Sequence, residues 1–287
     1  MYCYFNNKII LESKASLNPR DLGVLRGFGV FDVLRTYNGK PFMSKEHFTR
    51  LKNSAGILNL KLPVSVSEFE EIIFQLLKKN KLIDAVVRSV LTGGVTSDGI
   101  NSKAGPSFFI LLEPLPATRE HRERSSRRMP AMNKNLYKNG IKLITHDYLR
   151  EFAQAKTTNY ILAVLLQKKL KKEKAFEALY VWQNKILECS TSNFFIFKGG
   201  ALITPKDNIL IGMTRNFVMR LAKGKFKVEE RDVNISELRD ADETFLTATN
   251  KEIVPVVKID DFVINSGKVG SNTQWLMDRF SQFIKAY

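Results

Sequence analysis

Apolar positions in this chain of 287 residues change period several times, and each change marks an element. Tyr2–Phe5, Lys8–Leu11 and residues 30–37 are short runs rich in aromatic and aliphatic side chains and read as strands; Asn6-Asn7 and Asn38-Gly39 supply the hairpin turns. Across 44–59 the period lengthens to that of a helix, with Phe48, Leu51, Ala55 and Leu58 on one face. A second helix is expected to start at Ser67, where Ser67 and Glu70 fit a capping box and Phe69, Ile72, Ile73, Leu76 and Leu77 form the apolar stripe. Apolar strands over 85–91 and 107–112 complete this half.

Residues 113–135 carry Pro, Arg and Ser without an apolar period, which reads as an interdomain linker or a surface loop. Beyond it the pattern predicts a strand at 141–145, a helix from Thr157 to about Lys172, and strands at 175–182, 186–188 and 194–197. A helix over 214–222, strands at 226–229, 243–247 and 254–259, and a closing amphipathic helix over 271–284 follow. Strands with irregularly spaced helices argue for an α+β fold rather than a doubly wound parallel sheet. The expected division is an N-terminal α+β domain over 1–116, a linker over 117–134 and a cofactor-binding domain over 135–287.

Composition narrows the class. A hydrophobic fraction of 44% with 20 Phe suits an ordinary soluble globular protein, and no apolar run approaches the ~18 residues of a membrane span. The stretch from Met1 to Asn7 lacks the basic-then-apolar order of a signal peptide, so the cytoplasm is the expected location. Cys3 and Cys189 are too few for a disulfide framework and have no metal-ligand spacing, so no metal is expected. The net charge of +16 gathers partly in Arg119, Arg122, Arg124, Arg127 and Arg128 and in Lys168, Lys169, Lys171, Lys172 and Lys174. Neither cluster interleaves with aromatics or a reading motif, so both read as solvated faces and no nucleic-acid partner is expected.

Few groups suit chemistry, and they fall in two places. Lys156-Thr157-Thr158-Asn159-Tyr160 sets a lysine where a loop enters an apolar helix, a setting no other lysine shares, and burial there favours the neutral, nucleophilic amine. Glu188 ends a strand ahead of Cys189-Ser190-Thr191-Ser192-Asn193. An amine able to form a Schiff base, a carboxylate able to hold a ring nitrogen, and hydroxyls beside an anion together suggest pyridoxal phosphate (PLP). Donors for its phosphate are the helix start at Gly212-Met213-Thr214-Arg215, Thr247-Ala248-Thr249-Asn250, and Arg50. Each has a plainer alternative: a surface lysine, an edge-strand glutamate, an ordinary helix start, an exposed helix arginine.

Six ordered motifs resemble the class IV, fold-type IV PLP enzymes, which comprise branched-chain aminotransferases, D-amino acid aminotransferases and aminodeoxychorismate lyase. They are Gly27-Phe28-Gly29-Val30-Phe31, His47…Arg50-Leu51…Ser54-Ala55, the Lys156 motif, Glu188 to Phe194, Gly212 to Arg215, and Phe245 to Thr249 with Glu252 to Val256. The resemblance implies a smaller N-terminal α/β sandwich, a larger C-terminal pseudobarrel, and a homodimer whose active site lies between the two domains and is partly lined by the partner subunit. It implies Lys156 as the Schiff-base lysine, Glu188 on the pyridine nitrogen, and Arg50, Met213, Thr214 and Thr249 at the phosphate. Tyr160, Thr191, Ser192, Asn193 and Ala248 join the cofactor set, and Phe31 the substrate set.

Subfamily signals divide. Two residues separate Lys156 from Asn159, which looks like the D-amino acid and lyase branches, and Ser190-Thr191-Ser192 is a hydroxyl run that looks like the D-amino acid branch. The loop from Thr92 to Gly99 lacks that branch's Arg-x-His carboxylate trap. Arg26 and Arg88 are the candidate replacements; the plain alternatives are an exposed loop residue and an edge-strand residue reaching solvent. The expected activity is transamination between an amino acid and a 2-oxo acid such as 2-oxoglutarate, with a D-amino acid donor preferred to a branched-chain L-amino acid. A lyase and a basic binding protein on an inactive scaffold are the alternatives.

Overall fold

The computed structural model describes residues 1–102, 105–115 and 134–287. The chain divides into two compact units: Met1–Ala131 with Ala155–Asn159 and Tyr287, and Met132–Gln154 with Tyr160–Ala286. The linker expected over 117–134 and the arginine cluster 119–128 lie outside the described residues, except that Lys134 begins a helix.

The first unit contains β1 (Tyr2–Phe5), β2 (Lys8–Leu11), α1 (Leu22–Leu25), β3 (Gly29–Tyr37), β4 (Lys40–Pro41), α2 (Ser44–Ile57), α3 (Val66–Asn80), β5 (Ala85–Thr92) and β6 (Ser107–Pro114). The strands form one sheet in the order β2-β1-β6-β5-β3-β4, antiparallel throughout. Tight hairpins need residues with positive φ, and Asn6, Asn7, Asn38 and Gly39 supply it at 41°, 68°, 51° and 76°. Alternation along β3 sends Val30, Leu34 and their sheet neighbours toward α2 and α3, where Phe48, Leu51, Phe69, Ile73 and Leu76 close the core. Each such side chain contributes about 1.5–3 kcal/mol by leaving water. The second helix starts two residues earlier than its sequence suggests. Ser65 and Glu68, not Ser67 and Glu70, form the capping box. Both pairs fit the motif, and the stripe alone does not choose between them.

The second unit contains α4 (Lys134–Asn139), β7 (Ile141–Asp147), α5 (Ile161–Leu165), α6 (Gln167–Lys172), β8 (Glu177–Trp182), β9 (Lys185–Cys189), β10 (Asn193–Lys198) and β11 (Ala201–Thr204). It continues with α7 (Met213–Ala222), β12 (Lys227–Glu230), β13 (Val233–Asn234), β14 (Glu243–Ala248), β15 (Glu252–Ile259), β16 (Phe262–Val263) and α8 (Ser271–Ala286). Ten strands form a curled, half-barrel sheet in the order β12-β11-β10-β14-β15-β7-β8-β9-β13, with β16 on β15. Parallel joins at β11–β12, β15–β7 and β7–β8 make it mixed. One core collects Leu143, Leu179, Phe194, Ile196, Leu246 and Val254. The stacked pair Phe195–Phe245 and the edge-on pair Phe217–Phe280 pack a second apolar layer with α7 and α8. No helix among the described residues is long and apolar enough to cross a membrane.

The helix expected from Thr157 to Lys172 does not exist as one element. Residues 156–158 are extended, Thr157 forms a β-bridge with Val30, and the helices are the short α5 and α6. The apolar run after Tyr160 has helical spacing, but backbone pairing with β3 claims the residues before it. Nor is α5 buried: Ile161, Val164 and Leu165 face solvent.

Candidate active site

Lys156 is fixed by its backbone on three sides within the first unit. Its N–H donates to Ser54 Oγ of α2 at 3.0 Å, its C=O accepts from Phe31 N at 2.9 Å, and Thr158 N donates to Gly29 O at 2.9 Å. The Thr158 hydroxyl adds a bond to Gly27 O at 2.7 Å. The half-buried side chain places Nζ 4.7 Å from the centroid of the Phe31 ring. The lysine therefore stands on a strand-like segment rather than at a helix entrance, and a rigid sheet strand aims it.

Beneath it, between β3 and α2, lies a buried ionic cluster. Asp32 sits on the helix-facing side of β3 and receives Arg50 Nε at 2.7 Å and Arg50 Nη2 at 2.9 Å. His47 Nδ1 lies 2.6 Å from Asp32 Oδ1. Burial opposes the charge on Asp32, yet the Arg50 guanidinium and His47 outweigh it and hold the carboxyl well below the ordinary range. Burial also pushes His47 below its ordinary value against the pull of Asp32, and Arg50 and Lys156 press the same way. Facing an ionised carboxylate, Nδ1 carries the hydrogen of this contact and donates it to Asp32. Arg50, proposed from sequence for a phosphate, thus has its fork on Asp32, which orients it.

Phe31, Val33, Arg88 and Val90 share the opposite sheet face by register. Arg88 lies on β5, an internal strand between β3 and β6, and not at an edge. Its Nε donates to Glu113 Oε1 at 2.7 Å, and its guanidinium carbon stands 5.8 Å from the Phe31 centroid. One aromatic ring is therefore flanked by both Lys156 and Arg88. Arg26 behaves differently: it is exposed at the end of α1, donates to Leu25 O at 3.0 Å and lies against Gly99. Buried Asp21 secures this loop by accepting from Gly23 N, Thr92 Oγ1 and Ser107 Oγ at 2.7, 2.9 and 2.7 Å.

In the second unit Glu188 is buried on β9, between β8 and β13, so the exposed edge-strand alternative does not hold. Its Oε1 accepts from Arg150 Nε at 2.8 Å and Nη2 at 2.5 Å, and its Oε2 accepts from Leu210 N at 3.1 Å. Arg150 also donates to Ala153 O at 2.7 Å. A carboxylate held this way is fixed in direction, balanced in charge, and retains lone pairs for a further N–H. Sequence reasoning missed Arg150, an isolated arginine 38 residues upstream of its partner. Beside this pair lie Tyr148 and Tyr180, with ring centroids 5.0 Å apart. Burial raises the Tyr180 pKa, a hydrogen bond with Ser190 opposes the shift, and Tyr148 and Tyr160 add to it. Tyr160, at the start of α5, is part of the same cluster.

An anion cradle forms near Glu188. Gly212 precedes α7 without a side-chain cap, so the first-turn N–H groups are not satisfied by a cap, and Met213 and Thr214 are buried there. Asn193 Nδ2 donates to Leu210 O at 2.7 Å, and a Cβ at Gly212 would fall 2.0 Å from Asn193 Oδ1. Only glycine admits that approach. Thr247 pairs with Asn193 across β10 and β14, and its buried Oγ1 has no hydrogen-bond partner. An orphaned hydroxyl beside an uncapped helix start suits an incoming phosphate oxygen. Ala248 and Thr249 follow, half-buried, in the β14–β15 turn. The residues present thus fit PLP.

One further cluster escaped the sequence reading, which credited no other lysine with a setting like that of Lys156. Lys251 is 9% exposed. Its Nζ donates to Glu177 Oε1, to Thr191 Oγ1 at 2.6 Å and to Ser192 Oγ at 3.1 Å. Thr191 also donates to Glu177 Oε1. The two hydroxyls proposed for the cofactor are thereby engaged with this ion pair. Lys251 directly follows Thr247–Asn250, a turn already conspicuous for its donors, and that adjacency was the available signal.

Comparison with known proteins places these features in context. The family model described as amino-transferase class IV matches residues 29–259. A Methanocaldococcus jannaschii protein named provisionally as a branched-chain-amino-acid aminotransferase is 35% identical, with 98% of this chain and 95% of that one covered. A D-alanine aminotransferase of Listeria monocytogenes is 31% identical over 97% of this chain and 94% of its own. Among solved structures, a T.th. branched-chain amino acid aminotransferase with pyridoxamine 5'-phosphate superposes with a TM-score of 0.88 at 24% identity, covering 99% of this chain and 93% of that one.

Proposed function

Since the chain belongs to the amino-transferase class IV family, whose enzymes use pyridoxal 5'-phosphate, we propose that it transfers an amino group between an amino acid and a 2-oxo acid through Lys156 and Glu188. When bound, PLP supplies the carbonyl with which amines condense and a ring that accepts electrons from the substrate carbon. Lys156 Nζ holds the cofactor and carries the proton to and from the substrate Cα. Glu188, steered by Arg150 and Leu210 N, accepts the ring N–H. Thr214, the start of α7 and Thr249 take the phosphate, with Met213, Asn193 and Ala248 shaping the pocket and Arg50 adding charge. Tyr160 would flank the bound cofactor. The observation that carries this reading is the buried carboxylate with both oxygens aimed by an arginine and a backbone amide.

For the substrate we favour a D-amino acid donor with 2-oxoglutarate as acceptor. The two-residue gap between Lys156 and Asn159 and the hydroxyl run at 190–192 support it. The branched-chain L-reading draws on a different observation, the placement of Arg88 beside the same ring as Lys156. In either case Arg88 is the carboxylate-binding candidate, Phe31 the apolar wall, and Arg26 a loop residue able to reach a second carboxylate. The homodimer implied by family membership accords with the solvent-facing Ile161, Val164 and Leu165 of a single chain. Assay of a panel of D- and L-amino acids with 2-oxoglutarate tests the reading. Turnover of D-alanine or D-glutamate above any L-branched-chain substrate supports it, and the reverse order replaces it with the branched-chain activity. Absence of visible cofactor absorbance in the PLP-incubated protein would remove the enzyme reading itself.

A further inference from the structure

We infer that Lys251 is a positioning residue whose pairing with Glu177 locks the β9–β10 and β14–β15 turns into the spacing that grips the cofactor phosphate. This rests on the reading that places the phosphate at the start of α7 and on the β14–β15 turn.

An ammonium has three N–H groups, and here all three have named acceptors: Glu177 Oε1, Thr191 Oγ1 and Ser192 Oγ. Two of those acceptors belong to the β9–β10 turn, and the lysine itself closes the β14–β15 turn. A stabilising ion pair needs no hydroxyls from a second loop, and a buried pair commonly does no better than apolar residues of the same size. Its retention at 9% exposure calls for what apolar residues cannot give, namely direction. The clasp is fastened at both ends. Lys251 N donates to Ala248 O at 3.1 Å, spanning Thr249, and Tyr137 Oη of α4 donates to Lys251 O at 3.0 Å. On the other side Ser192 leads directly into Asn193, which reaches Leu210 O and the start of α7. Every proposed phosphate contact in this unit therefore lies within four residues of a bond to the clasp or to Asn193.

The test compares PLP with pyridoxal, which lacks only the phosphate, on cofactor-stripped full-length protein. The double variant Lys251→Met/Glu177→Gln leaves no uncompensated buried charge, so its melting temperature should stay close to that of wild type. Its Kd for PLP should rise at least about tenfold, about 1.4 kcal/mol, while its Kd for pyridoxal stays within about twofold. Amide hydrogen exchange at 191–193 and 248–251 should quicken. The milder double variant Lys251→Gln/Glu177→Gln keeps two donors at 251 without either charge and should fall between wild type and the Met-containing variant; it carries the same comparison should that variant not fold. Equal weakening of PLP and pyridoxal, or no change in either, overturns the inference. Wild-type protein that binds no PLP at all would instead overturn the functional reading, and this inference with it.

Discussion

Two lysines in this chain have left water to different degrees, and the more deeply buried one is the less suited to chemistry. Lys251, at 9% exposure, has its ammonium enclosed by a carboxylate and two hydroxyls, which engage its N–H groups and block an approaching carbonyl. Lys156 is only half-buried, and its Nζ stands 4.7 Å from the centroid of the Phe31 ring, which attracts a cation weakly. Burial alone therefore does not mark a reactive amine; what surrounds the nitrogen does. The carboxylates divide in the same way. Glu177 is bound to its lysine, whereas Glu188 is bound to an arginine and a backbone amide.

The largest effect that would break this comparison comes from the lysines themselves. Lys156→Ala should abolish both turnover and the visible absorbance of lysine-bound cofactor, with little change in melting temperature. Lys251→Met should do the opposite: retain that absorbance at saturating PLP but destabilise the fold by about 3–5 kcal/mol, because Glu177 is left buried without its partner. Absorption spectra and thermal melts of both variants decide it, and interchanged outcomes would reverse the assignment. Next in size, Glu188→Gln should retain PLP and lose about 100-fold in rate, the scale of removing one preorganised electrostatic partner. Single-turnover rates against Glu177→Gln, expected to lose far less, would sharpen the contrast. Arg88→Ala should raise KM for amino donor or acceptor by about tenfold, less than a fully buried pair costs, because the arginine is one-third exposed and already shares its charge with Glu113. Unchanged KM for every substrate would return Arg88 to the role of a Glu113 partner alone.

The smallest expected effect is on pH. His47 has a folded pKa below its ordinary 6.5, so on acidification the unfolded chain takes up this proton first. Its contribution to stability is intact above about pH 6.5 and declines as pH falls from there toward the folded value. Asp32, also lowered, contributes stability that is intact above its ordinary 3.8 and is lost below it. Thermal melts from pH 7.5 downward should therefore show a shallow loss in wild type that His47→Asn lacks. Identical slopes would mean His47 does not titrate differently on folding.

Local pattern made much of the fold legible. β1 and β2 have the predicted bounds, and β3, β5, β6 and α8 differ from expectation by at most two residues at an end, because alternation and stripe are read within a few residues. The extended segment at 156–158 was not legible, since its partner β3 lies far upstream in the chain. The apolar spacing after Tyr160 simply outweighed it. In the candidate site, Lys156 and Glu188 stood out through their motifs. Arg150 and Lys251 did not, because an arginine and a lysine acquire meaning there only from the residues folded against them.

The bridge between Thr157 and Val30 has a consequence for synthesis on the ribosome. Gly29 O and Phe31 N have their partners in Thr158 and Lys156, so this stretch of β3 stays an open strand edge until the chain has grown past residue 158. Tyr287 Oη, at the very end, donates to Pro41 O at 3.1 Å and its ring packs on Phe42. The first unit is thus not complete when its first 131 residues have emerged. A fragment cut there should expose hydrogen-bonding groups that invite intermolecular pairing. Expressed alone it should accumulate as aggregate, and a co-expressed second half should improve its recovery.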